Sequence, residues 1–200
     1  SMGRTMRGGV GPGQERRRVE GGQTGRDHHV AAMEVSDLEA VVGALNRAGA
    51  IYVVVGGLAV IAHGYLRTTA DLDVVVALDE PNCRAALAAL ATLGYVPRAP
   101  VVAAALADAE QRRRWVQEKG MTVFQMVSDR FPFCPVDIFV QEPFDVRVEA
   151  AQAARFEVAP GLWIPVLRYE RLVELKRAAG RPTDLDDLTQ LARLRALESS

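Results

Sequence analysis

Cysteine and lysine are both scarce in this chain, at two residues each. Cys83 and Cys134 lie far apart and outside any zinc-ligand spacing, which excludes a disulfide framework and a cysteine-based metal ribbon. They read as free, half-buried thiols in a reducing compartment. No apolar run approaches the roughly 18–20 residues of a membrane span. The richest, Ile51–Ala62, is interrupted by Gly56 and Gly57. The opening residues also lack the apolar segment of a secretory signal, so a cytoplasmic location and no membrane partner are expected. Internal repeats and long heptad runs are missing too. Only Lys119 and Lys176 are lysines, the other basic residues being arginine, which makes the setting of each lysine informative.

What is present suits one domain and a tail. Residues 1–32 are Arg- and Gly-rich with almost no large apolar side chains, and are expected to form a disordered tail. The domain is expected over residues 33–200. Residues 1–30 carry six arginines against three acids, leaving 18 basic and 22 acidic residues for the remainder. The domain is therefore not broadly basic, and a large nucleic-acid footprint is not predicted. Arg16, Arg17 and Arg18 suit either a solvated tail or an RNA contact.

Hydrophobic spacing predicts a helix from about Val35 to Gly49, with Ser36 and Glu39 as a capping box. A buried strand is predicted over Ile51–Val55, a short helix over Leu58–His63, a second buried strand over Leu72–Leu78 and a helix over Cys83–Leu93. Further on, Ala104–Glu118 reads as helix, Met121–Val127 and Val136–Val140 as strands, and Phe144–Ala154 as a weak helix. Trp163–Val166 reads as a strand placed at an edge by Pro165. Helices are predicted over Tyr169–Ala179 and Asp184–Leu197. The fold class is α/β (α+β): a mixed β-sheet flanked by helices, with helices at the C-terminus.

The chemistry concentrates between Val53 and Val76. A buried strand runs into Gly56-Gly57 and a helix, where glycine permits close approach of a ligand and helical amides favour phosphate. Asp71 and Asp73 are two residues apart on the next strand, so their carboxylates share a face about 6–7 Å apart. Like charges on an apolar strand are costly unless a cation lies between them, and Mg²⁺ favours carboxylates with substrate phosphates. Alternatively, Asp71 caps the strand and Asp73 lies on a solvated edge. Asp137 is a third acid inside an apolar strand; it either joins the first two or pairs with an arginine.

Gly-Gly, then Asp-x-Asp after thirteen intervening residues, then an aspartate on a later strand together resemble the DNA polymerase β-type nucleotidyltransferase superfamily. The likeness covers roughly residues 35–197. Within that superfamily the chain is similar to small bacterial AbiEii/MenT-like proteins and antibiotic nucleotidyltransferases. The resemblance implies a nucleotidyltransferase-type sheet and a transferase of the EC 2.7.7 kind. Such an enzyme moves an NMP from an NTP such as ATP to an acceptor hydroxyl on tRNA, a protein or an antibiotic. It further implies two Mg²⁺ ions, or Mn²⁺, held by Asp71, Asp73 and Asp137, with Asp137 completing the second site or acting as general base. Gly56 and Gly57 would cradle phosphates, within reach of Arg67, Thr68 and Thr69. Lys176 would face the nucleotide as a mobile cation, and Asp184 would orient it or cap the last helix. Many members carry Gly-Ser in place of Gly56-Gly57, so one hydroxyl contact is missing here. That departure motivates an alternative: a catalytically weak or inactive nucleotide-binding module, or half of a toxin–antitoxin pair with a cognate antitoxin.

Other candidates are weaker. His63 reads as a packed or capping histidine. Arg112, Arg113 and Arg114 beside Trp115 read as a solvated helix face with the indole turned inward, or as an RNA contact.

Overall fold

A computed structural model describes residues 33–198, which lie in one unit. The expected tail over residues 1–32 falls outside them. The helices are α1 (Val35–Arg47), α2 (Gly56–Ala62), α3 (Glu80–Thr92), α4 (Ala109–Lys119), α5 (Val146–Gln152), α6 (Tyr169–Ala179) and α7 (Pro182–Glu198). The strands are β1 (Tyr52–Val54), β2 (Leu72–Val76), β3 (Val96–Pro97), β4 (Val123–Val127), β5 (Val136–Phe139), β6 (Ala154–Ala159) and β7 (Leu162–Val166). They form one seven-stranded mixed sheet in the order β3-β4-β5-β2-β1-β7-β6. β2 runs antiparallel to β1 and parallel to β5.

The central strands are short and β-branched because both faces are covered. Val53, Val54, Leu72, Val75 and Val136 are fully buried. α1 buries Leu38, Val41, Val42 and Leu45, one apolar stripe at helical spacing. The Asn82 amide fastens the sheet to α3: it accepts from Ile51 N (2.7 Å) and donates to the carbonyls of Ile51 and Ala77 (3.0 and 2.9 Å). Both thiols are buried, and burial pushes each up to about 11, so neither is a nucleophile near neutrality. Among the described residues no helix is long and apolar enough to cross a membrane.

Several local expectations need correction. α1 starts at Val35 with Glu34 as N-cap, so Ser36 lies inside the first turn and makes no capping box. The single helix expected over Ala104–Glu118 is broken at Asp108, which follows a 3₁₀ turn (Ala103–Ala107) and caps α4 by accepting from Glu110 N and Gln111 N. Arg112 is not on a solvated face: it is buried and donates to the carbonyls of Leu106 and Leu78 (2.6 and 3.0 Å). Arg113 and Arg114 are exposed, and Trp115 does turn inward, stacking on Phe124. Strand β7 is internal rather than an edge. It meets β1 only at Val166 and through Leu167 N to Val54 O, so Pro165, whose nitrogen faces the same side, leaves no partner unserved.

Candidate functional site

Alternation along β2 sends Leu72, Val74 and Val76 to one face and Asp73 to the other. The parallel register pairs Asp73 with Asp137 on β5, and the antiparallel register pairs Asp137 with Gln125 on β4. Registered partners point to the same side of a sheet, so a polar row of Gln125, Asp137 and Asp73 crosses three otherwise apolar strands. Asp71 lies just before β2, two residues from Asp73, and its charge acts on both other acids. The three carboxylates that sequence spacing singled out are therefore on one face.

Their electrostatics are those of crowded acids. The Asp73 carboxyl is pushed up to about 6, by burial first and then by the charges of Asp71 and Asp137; the Gly57 amide and Arg181 oppose the rise. Asp137, 8% exposed, is also raised, chiefly by burial. Gln125 Nε2 counters this by donating to Asp137 Oδ1 at 2.7 Å, with Arg98 adding positive charge. Among the described residues no set of three or more His, Cys, Asp or Glu side chains closes around one point as a finished metal centre does. The donor types nevertheless suit a hard divalent ion: carboxylate oxygens with excess negative charge.

The two glycines open this site in different ways. Gly56 has φ +61°, and a β-carbon there would stand 1.8 Å from Asp73 Oδ2. Only glycine fits where the carboxylate lies against the start of α2. At Gly57 a β-carbon would stand 2.4 Å from Thr69 Oγ1 and 2.9 Å from Arg67 Nη2. The space a residue-57 side chain would fill is thus already taken by the loop before β2. In that loop Thr69 Oγ1 donates weakly to Asp71 O (3.3 Å), Arg67 Nη1 donates to Thr68 O (2.9 Å), and Thr68 is exposed.

Lys176 is not a mobile cation. It is 4% exposed, and its Nζ lies 3.0 Å from Asp184 Oδ1 and 2.7 Å from Asp187 Oδ2. Asp184 does orient the lysine, and it also accepts from Arg181 N and Arg181 Nε. Burial works against the Asp184 carboxylate, but the bonds from Arg181 and Lys176 hold it below the ordinary range. Asp187 takes Arg67, with Nε 2.9 Å from Oδ1 and Nη2 3.2 Å from Oδ2. The result is an alternating chain, Arg67–Asp187–Lys176–Asp184–Arg181, joining α6 and α7 to the loop over Gly57. His63 is structural: Nε2 donates to Leu167 O at 2.7 Å and the ring packs edge-on to Tyr169.

Sequence reasoning missed Gln125, Arg181 and Asp187. The register of β4 identifies the first. The i, i+3 spacing of Asp184 and Asp187 on one helix was the available signal for the last.

No family model matches the chain, and no curated protein matches it. Among solved structures the chain is similar to the lincomycin-bound lincosamide antibiotic adenylyltransferase LnuA, with a TM-score of 0.54 and 13% identity over 80% of this chain and 98% of that one. It is also similar to the antibiotic-resistance factor ANT(2'')-Ia, with a TM-score of 0.46 and 16% identity over 82% and 95%. The fold is thus the nucleotidyltransferase-type mixed sheet flanked by helices.

Proposed function

We propose that this protein is a divalent-metal-dependent nucleotidyltransferase. It moves an NMP from an NTP to an acceptor hydroxyl and releases pyrophosphate. The observation that carries this reading is the registered pair Asp73 and Asp137, with Asp71 beside them, on the face of the sheet that meets the glycine turn. Crowding three buried or half-buried acids destabilises the protein, and a cationic ligand offsets that cost.

Asp71, Asp73 and Asp137 would hold Mg²⁺, or Mn²⁺ in its place. When bound, the ions neutralise triphosphate charge and favour the ionised acceptor. The acceptor oxygen attacks the α-phosphorus in line, the bond between that phosphorus and the β-bridging oxygen breaks, and pyrophosphate leaves. The acceptor's proton passes to Asp137 where that carboxylate, held at Oδ1 by Gln125, is not itself a metal ligand. Gly56, Gly57, Thr68 and Thr69 line the approach of the triphosphate. Lys176 acts from the interior, fixing the aspartates of α7.

For the acceptor, a hydroxyl-bearing antibiotic is the first to test, because the structurally similar LnuA is a lincosamide antibiotic adenylyltransferase with lincomycin bound. The mildly acidic composition after residue 30 also suits a small cationic acceptor better than long RNA. The test incubates the full chain with Mg²⁺ and each α-labelled NTP against lincosamides, aminoglycosides, total tRNA and cell protein. Transfer that is lost in D73N and D137N supports the reading. Binding of NTP with no transfer to any acceptor would leave a nucleotide-binding module instead.

A further inference from the structure

The five-membered charge chain has a composition its structural role does not require. Arg67, Lys176 and Arg181 bring three positive charges to the two carboxylates they bond directly, Asp184 and Asp187, and the charge of Arg181 also acts on Asp73 of the acid cluster. Lys176 and both aspartates are buried, and each aspartate keeps Lys176 as a partner whether or not its arginine is present. The surplus charge sits at the ends. The Arg181 side chain is 70% exposed although Asp184 holds its Nε at 2.7 Å. Its Nη1 carries no hydrogen bond among the described residues. Arg67 Nε is buried, and although Asp187 Oδ1 is 2.9 Å away, the N–H is aimed at no acceptor.

Placement is as informative as charge. Asp184 and Asp187 are i, i+3 on α7, so their β-carbons are about 5–6 Å apart and the two guanidinium groups they hold stand on one helix face. One of those groups, Arg67 Nη2, also borders Gly57.

Resting on the transferase reading above, we propose that Arg67 and Arg181 form a two-pronged clamp for the polyphosphate tail of the nucleotide. The aspartates pre-orient the forks, and Lys176 locks the aspartates. Planar guanidinium forks suit phosphate oxygens, and a fork held before the ligand arrives loses little freedom on binding. The ligand class is a linear polyphosphate, with the nucleoside held elsewhere.

The test is calorimetric titration of the full chain with inorganic tripolyphosphate in Mg²⁺, alongside melting temperature. R67Q and R181Q are each expected to weaken tripolyphosphate by about tenfold, the scale of a charge-assisted contact. R181K should restore only part of the affinity, because lysine lacks the fork. R181Q decides the matter if R67Q folds poorly, since Arg181 is largely exposed. Wild-type affinity in folded R181Q overturns the clamp. Tripolyphosphate binding that depends on both arginines, with no label transfer to any acceptor, keeps the clamp and removes the transferase. Label transfer with arginine-independent tripolyphosphate binding does the reverse.

Discussion

The Thr69 hydroxyl stands 2.4 Å from the point that a β-carbon on residue 57 would occupy. A serine at this position, as many proteins of the resembling superfamily have, would collide with Thr69 and with the head of Arg67. Gly57 is therefore matched to its neighbours. G57S is expected to cost about 1–3 kcal/mol of stability by overpacking and to lower any nucleotide transfer. Trimming the neighbour in the double variant G57S/T69A should recover much of that loss. Urea unfolding of the three proteins checks it, and a G57S protein as stable as wild type would refute the packing argument.

Asp73 sets a pH dependence of stability. Its carboxyl titrates near 6 in the folded protein, above the ordinary 3.8. A raised acid pKa means that the folded state holds its proton more tightly than the unfolded state. The destabilisation is thus absent below about pH 4, grows between pH 4 and 6 and is complete above that. D73N should raise stability at pH 7.5 by about 2–3 kcal/mol in metal-free buffer and flatten this part of the profile, while abolishing transfer. Thermal melts from pH 4 to 8 with chelator present measure it.

The same crowding predicts how metal acts on the fold. Millimolar Mg²⁺ or Mn²⁺ should raise the wild-type melting temperature, because binding to the folded state alone stabilises it by mass action. D73N and D137N should lose most of that increment. An equal rise in all three proteins would place the ion elsewhere.

Lys176 should prove costly to remove for reasons of folding. K176M leaves Asp184 and Asp187 buried on α7 with only their peripheral arginines. Breaking a buried ionic network from one side costs about 3–5 kcal/mol. Chemical denaturation of K176M checks this value, and any activity assay on the variant needs that result beside it.

Most of the sheet was legible because its central strands are apolar runs rich in β-branched residues, β1 with glycine at either end. Strands β3 and β6 were not. β3 is two residues long and ends in Pro97, and β6 has four exposed residues in a row, Ala154 to Glu157, with no alternation to read. The acids of the site were legible one at a time, as charges interrupting apolar strands. Their meeting was not, since it depends on β2 lying parallel to β5, which local pattern does not encode. Lys176 misled because scarcity marks a residue as constrained without saying by what, and here the constraint is a pair of buried aspartates. Arg181 stayed hidden because an arginine beside glycine and proline is ordinary in a loop.

The row formed by Gln125, Asp137 and Asp73 runs across the strands, through positions fixed by backbone pairing. Insertions in the connecting loops cannot change the separation of these groups without breaking the ladder beneath them. Diversification of such a protein is consequently confined to the margins. Under the transferase reading, a new acceptor calls for changes in the loops around this row, while the spacing of the row itself is inherited as a rigid unit.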